Sequence, residues 1–165
     1  SCTTRPPRPT ELEGREYYFV GVEEFKRRIK GRQFLEWAVV HGHYYGTPIG
    51  PFKDRLAEGR DVVLTIDPQG AISVKKLFPD GIFIFVVPPT WAVLKSRLEQ
   101  RATDDPASVK IRIANARKEI AQMAYYDYLV VNDRLESAVR DVAAIIRAEH
   151  CRLARVDMKH IPILQ

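Results

Sequence analysis

Three short apolar runs, at residues 61–67, 82–87 and 128–131, are separated by stretches of helical periodicity. That alternation constrains the fold more than any other feature of the chain. Runs that are apolar on both faces are expected of parallel strands buried between helices. The intervening helices are predicted over Gly70 to Phe78 and from a Thr90 cap to about Arg101. A longer one carries the stripe Val109, Ile113, Ala116, Ile120 and Met123, and a closing one carries Leu135, Val139, Val142 and Ile146. Strands alternating with helices argue an α/β domain with a parallel sheet.

The stretch from 17 to 46 reads differently. Tyr17 to Val20 is a short β-prone run, and Val22–Lys30 has Val22, Phe25 and Ile29 on one helical face. Phe34–Val40 reads as a strand with two alternating faces: Phe34, Glu36, Ala38 and Val40 on one, Leu35, Trp37 and Val39 on the other. His41-Gly42-His43 suits a turn, and Tyr44 to Gly46 a returning strand, so a small antiparallel lobe is expected beside the core. Pro51 to Glu58 is predicted helical, ended by Gly59. Residues 1–16 read as a loop or extended arm, and 151–165 as a tail without clear period.

At 165 residues the chain can build one domain with a real core. Its net charge of +5 invites a nucleic-acid reading, but the arginines lie among acidic residues and no basic helix or aromatic-basic repeat stands out. Small anionic ligands account for the same excess. No apolar run reaches the ~20 residues of a membrane-spanning helix, and the start has no signal-peptide core. Two cysteines, Cys2 and Cys151, are too few for a disulfide framework or a zinc site, and the four histidines form no metal-ligand group. A cytoplasmic protein without a resident metal site is the expectation.

Four groups of residues carry candidate chemistry. Ser1, Thr3, Thr4, Arg5, Arg8 and Tyr17 bring hydroxyls and two guanidiniums together on a proline-stiffened segment suited to a phosphate; a solvated polar terminus is the plain alternative. Glu36 beside Trp37, with Tyr45, Gly46 and Thr47 after the turn, offers a carboxylate for the two adjacent N–H donors of guanine and a hydroxyl for its O6. A surface carboxylate fits the same spacing. Asp67 stands at the carboxyl end of the first apolar run, where open α/β sheets bind ligands, or caps the next helix. Arg97, Arg101 and Arg112 flank a break at 102–107 and suit a segment closing over a phosphoryl group, or a solvated basic face.

Together these stretches resemble the guanylate kinase family. The resemblance rests on Ser1-Cys-Thr-Thr-Arg-Pro-Pro-Arg8, Glu13-Gly14 with Tyr17-Tyr-Phe19, Phe34-Leu-Glu-Trp-Ala38, Tyr44-Tyr-Gly-Thr47, Ile66-Asp-Pro-Gln-Gly70, Pro88-Pro89 and Val131-Asn-Asp133, in order over residues 1–150. It implies a P-loop NTPase-like parallel sheet core flanked by helices, a small mixed or antiparallel GMP-binding lobe at about 5–57 and a helical lid at about 98–115. It implies transfer of the ATP γ-phosphoryl to GMP, with Mg²⁺ accompanying the ATP and neither nucleic acid nor membrane as partner. Ser1, Arg5, Arg8, Tyr17 and Tyr45 would hold the GMP phosphate, Glu36 and Thr47 would read guanine with Gly46 in contact nearby, and Asp67 counts among the GMP-binding residues. Arg97, Arg101 and Arg112 would face the transferring phosphates, and Asn132 the adenine.

Departures from the pattern set the expectations apart. No G-x-x-x-x-G-K-[ST] loop occurs in the chain, and Ser1 matches a family position well downstream of one. The expectation is that a P-loop precedes Ser1; the alternative is a chain that starts here and transfers no phosphate. Thr65 stands where the family usually has a carboxylate, and Gln100-Arg-Ala102 replaces a Gly-Arg-Gly hinge. Two further readings compete: a catalytically inactive guanylate-kinase-like module holding GMP or phosphopeptides, and an RNA-binding domain with steep salt dependence.

Overall fold

The computed structural model describes residues 1–40, 42–100, 106–156, 158, 161 and 163, and for 106–110 the helical backbone alone. The chain divides into two compact units, Ser1–Gly81 and Ile82–Gln165.

In the first unit the chain's start is a strand, not a solvated arm. β1 (Cys2–Thr3) and β2 (Tyr18–Phe19) pair in parallel. They are followed by α1 (Val22–Lys30), β3 (Phe34–Val40) and β4 (His43–Pro48). The sheet order is β2-β1-β4-β3, with β4 antiparallel to both of its neighbours. Cys2 and Thr3 are fully buried, so the solvated terminus that stood as the plain alternative does not hold for them. The Thr3 hydroxyl donates to the Tyr44 carbonyl at 3.0 Å, so a polar side chain enters the interior with its hydrogen bond made. Thr3 therefore serves the sheet and not the proposed phosphate group.

α1 forms where its sequence favours it. Glu23 and Glu24 occupy the first turn and Arg27, Arg28 and Lys30 the last, which suits the helix dipole. Glu24 pairs with Arg28 at 2.8 Å and also with Arg27. Its apolar face delivers Phe25, fully buried, into a stack against Phe34 with ring centroids 4.4 Å apart.

β3 departs from strict alternation. Phe34 pairs with Pro48 but Glu36 with Thr47, so one extra residue, Leu35, is inserted on β3. A bulge of this kind changes which way the following side chains point. Leu35 and Glu36 are consequently both buried, whereas Trp37 and Val39 remain exposed. The expectation that Leu35 shares a face with Trp37 and Val39 fails for this reason.

α2 (Ile49–Ala57) follows β4 directly and gives way to Gly59 at φ 71°, the left-handed position that glycine adopts without strain. Residues 61–67, expected as a parallel strand, form none. An apolar run favours burial, but a strand also needs a ladder partner, and no described strand pairs with this one. Val63 is in fact exposed. α3 (Pro68–Leu77) then begins with Asp67 as its cap.

The second unit holds β5 (Ile84–Val87), α4 (Trp91–Glu99), α5 (Pro106–Ile120), β6 (Tyr128–Val131) and α6 (Leu135–His150). β5 and β6 pair in parallel, in register from Ile84–Tyr128 to Val87–Val131. Thr90 caps α4 by accepting from the Val93 amide at 3.1 Å, as its sequence position predicts. Arg117 lies over the Trp91 ring, 5.8 Å from its centroid, and joins α5 to α4. Tyr126 packs edge-on against Phe83 and Phe85. Glu149, buried near the end of α6, accepts from the Tyr128 hydroxyl and pairs with Arg152 and Arg155. The tail opens with a single 3-10 turn at Leu153–Arg155.

Gly46 lies directly under the aromatic stack. A Cβ added there would come within 2.9 Å of Phe34, 3.0 Å of Phe25 and 3.1 Å of the Glu36 carbonyl. Gly46→Ala is expected to cost about 1–3 kcal/mol through overpacking. Urea denaturation measures this, and an unchanged midpoint would contradict the packing described.

Candidate functional site

The pairing of β3 with β4 sets Glu36 opposite Thr47. Both side chains are buried, and the Thr47 hydroxyl donates to Glu36 Oε1 at 2.6 Å. The sequence suggests Thr47 as a donor to a ligand; in the structure its proton goes to Glu36 and orients that carboxylate. The second carboxylate oxygen lies beneath the start of α3. A Cβ on Gly70 would stand 2.7 Å from Glu36 Oε2 and 3.1 Å from Asp67 Oδ1. Gly70 is therefore a close-approach glycine that makes room for two carboxylates.

Asp67 accepts the Gly70 amide at 3.0 Å and caps α3. Its charge also bears on Glu36. Burial is the main influence raising the Glu36 pKa, opposed by the Thr47 hydroxyl bond, and the nearby Asp67 charge adds to the rise. A cleft of about 250 Å³ opens beside Glu36, bordered by Phe34, Leu35, Trp37 and Ser73.

The arginine group is assembled by the loop between β1 and β2. Arg5 donates through Nε to the Tyr45 hydroxyl at 3.2 Å, through Nη1 to the Pro6 carbonyl at 2.7 Å, and through Nη2 to both Glu11 oxygens at 2.8 Å. Arg8 Nη1 stands 3.6 Å from Glu11, and the Arg8 amide donates to the same carboxylate at 2.8 Å. The Tyr17 ring meets the Tyr45 ring edge-on, with centroids 5.9 Å apart, and the Arg5 guanidinium lies 5.9 Å from the Tyr17 centroid. Arg5, Arg8, Tyr17 and Tyr45 thus come together, as the sequence suggests. Ser1 is exposed and holds β2 through its carbonyl, which accepts the Tyr18 amide at 2.8 Å. Glu11 was not among the residues singled out, although its place three residues after Arg8, across Pro9, is the spacing of a closed turn.

In the second unit, Arg97 is directed onto backbone. It donates to the carbonyls of Asn132 at 2.8 Å and Asp133 at 3.2 Å. Asn132 follows β6, and its own amide bonds the Val87 carbonyl at 2.7 Å. Arg112 sits half-buried on α5. Arg101 lies outside the described residues, as do His41 and residues 102–105 of the expected lid.

Comparison with known proteins gives this geometry its context. The family model described as Guanylate kinase matches residues 1–149. The chain belongs to the guanylate kinase family. A guanylate kinase from Thermotoga maritima is 48% identical over 155 residues, spanning 94% of this chain and 75% of that protein. One from Lactobacillus delbrueckii subsp. bulgaricus is 49% identical over 156 residues, spanning 94% and 76%. The crystal structure of guanylate kinase from Anaplasma phagocytophilum superposes with a TM-score of 0.81 at 33% identity, over 93% of this chain and 75% of that one. The α/β fold expected of the family is thereby established. Guanylate kinases are nucleoside monophosphate kinases, so the chain is placed among the phosphotransferases, and nothing in these likenesses favours an inactive binding module. No helix among the described residues is long and apolar enough to cross a membrane.

The raised Glu36 pKa has a consequence for stability. The folded state holds this proton to higher pH than the unfolded chain does, so the Glu36 contribution to stability falls as pH rises through that window. Glu36→Gln keeps an oxygen for Thr47 but cannot ionise. As pH rises from the usual carboxylate range upward, the variant is expected to gain stability relative to the wild type. Urea midpoints across that range test this, and parallel profiles for the two proteins would refute it.

Proposed function

We propose that the first unit binds GMP and that, given a P-loop of the kind these 165 residues do not contain, the protein catalyses transfer of the ATP γ-phosphoryl to it, giving GDP and ADP. The observation that carries the reading is the buried Glu36 carboxylate, oriented by Thr47 and set in the same unit as the Arg5–Arg8–Tyr17–Tyr45 group. A carboxylate can accept the N1–H and 2-amino donors of guanine together, and adenine has no equivalent pair. Glu36 must be ionised to do so, which makes its burial a cost that the guanine donors offset on binding. The phosphate then falls to Arg5, Arg8, Tyr17, Tyr45 and Ser1. Asp67 supports the base side through its place beside Glu36, and Gly46 keeps the backbone of β4 close beneath it.

On the ATP side the reading assigns Arg101 and Arg112 to the charge that builds up on the transferring phosphoryl group. Arg97 shares that assignment, and its bonds to the Asn132 and Asp133 carbonyls support Asn132 on the adenine side. The GMP lobe is taken as about 5–57 and the lid as about 98–115. Mg²⁺ is expected to come with the ATP phosphates, its usual manner of binding. Among the described residues no group of three or more His, Cys, Asp and Glu side chains gathers to hold a metal ion. The substrates accord with a cytoplasmic setting and with small molecules, not nucleic acid or membrane, as partners.

Isothermal titration calorimetry with GMP and AMP tests the base assignment. GMP is expected to bind in clear preference to AMP, and Glu36→Gln to weaken GMP by about 1.5–3 kcal/mol, the worth of a hydrogen bond to a charged group. A folded sample that binds no GMP would overturn the reading. Phosphoryl transfer is followed as GMP-dependent release of ADP from ATP in a coupled assay.

Gly70→Ala probes the same site from α3. Its Cβ would stand 2.7 Å from Glu36 Oε2, so the carboxylate must shift. GMP affinity is expected to fall by roughly tenfold with the fold intact by circular dichroism. An unaltered affinity would mean that Glu36 does not contact the base.

A further inference from the structure

Arg5 and Arg8 would repel one another if they stood alone, yet both turn toward Glu11. The Glu11 side chain is only 10% exposed. Its two oxygens take the Arg5 Nη2 donor at 2.8 Å each, and Oε2 also takes the Arg8 amide at 2.8 Å. The Glu11 amide in turn bonds the Arg8 carbonyl at 3.0 Å, which closes the turn on itself. Glu11 is thus held by the backbone of the residue it orients, and the Arg8 amide is the largest of the influences that keep its carboxyl below the usual range.

A guanidinium is planar, with five donors in fixed directions. Anchoring Nη1 on the Pro6 carbonyl and Nη2 on Glu11 therefore fixes where the Nε edge points. That edge points at the Tyr45 hydroxyl, which accepts from Nε at 3.2 Å. A phenol that accepts from Arg5 has its own proton directed elsewhere. With four of its five donors so committed, Arg5 keeps one Nη1 hydrogen, and Tyr45 its own proton, to donate outward.

Resting on the reading of this group as the GMP phosphate site, we propose that Glu11 is a positioning residue for that phosphate. It holds Arg5 and Arg8 in the donating geometry before GMP arrives and stays in place when it binds. It does not touch the nucleotide. Its effect is preorganisation: the ordering of two long side chains is completed in the free protein and is not charged against binding. A carboxylate standing between two arginines also has an opposite reading, as an occupant that the phosphate must displace, and the two predict opposite signs.

Glu11→Gln keeps the size of the side chain but places an amide NH2 against Arg5. Calorimetry with GMP and NMR titration with guanosine, which has the base and ribose without phosphate, separate the possibilities. The expected result is a GMP dissociation constant raised roughly tenfold with guanosine affinity unchanged. Tighter GMP binding would show that Glu11 is displaced, and would overturn the proposal. Equal weakening of GMP and guanosine, tracking a lowered melting temperature, would reduce Glu11 to a structural brace and overturn it too, as would unaltered GMP affinity.

The wild type supplies a second measurement should the variant fold poorly. The Glu11 carboxyl carbon, followed by NMR against pH, is expected to titrate below the usual carboxylate range both free and with GMP. A return to the ordinary range in the complex would overturn the proposal. Wild type that binds neither GMP nor guanosine would fail the site reading as a whole, whereas GMP binding indifferent to Glu11→Gln fails this inference alone.

Discussion

A buried carboxylate is held away from water at the expense of its charged form, and here one cross-strand contact opposes that effect. Thr47 donates to Glu36 across the β3–β4 ladder, and nearly every other feature of the first unit bears on that pair. The bulge at Leu35 leaves Leu35 and Glu36 both buried. Gly46, under the Phe25–Phe34 stack, lets β4 lie close enough for the pairing. Gly70 lets α3 begin directly over the second oxygen. The site is not added to a finished core, because its carboxylate is part of the interior.

The phosphate side follows a different physical rule. Arg5 and Arg8 sit on a loop, where side chains of this length would ordinarily lose much entropy on binding. Glu11, Tyr45 and the Pro6 carbonyl remove that freedom in advance. The base side is thus rigid by burial and the phosphate side by ion pairing. Both groups lie within residues 1–81, so the proposed GMP site draws on a single unit. The second unit shows the same economy in Arg97, which bonds the two carbonyls at the end of β6.

Much of this was legible in the amino-acid order. α1 and β3 have the boundaries their patterns predict, because nine residues with one apolar face and charged ends, and seven residues of which all but Glu36 are apolar or aromatic before a glycine turn, have few other options. The Thr90 cap and the turn to glycine after α2 follow from local chemistry. Arg5, Arg8 and Tyr17 were recognisable as a group, since hydroxyls and guanidiniums on a stiff segment suit an anion, and Tyr45 joined them only through the family resemblance. Asp67 took its helix-cap reading, and its charge also bears on Glu36.

What the order of residues determined by itself was therefore local: periodicity, caps, turn positions and the inventory of charged and hydroxyl groups. Tertiary structure alone decided which of those groups face one another. Residues 61–67 are as apolar as a buried strand, but a strand is a relation between two segments, and hydrophobicity says nothing of whether a partner is paired there. The burial of Leu35 alongside Glu36 goes with a register shift of one residue between β3 and β4, which alternation along β3 alone does not contain. Thr47 and Glu11 looked like a ligand donor and an unremarked loop acid. Their roles as the partners that orient Glu36 and Arg5 arise only where the folded backbone brings separate segments within hydrogen-bonding distance.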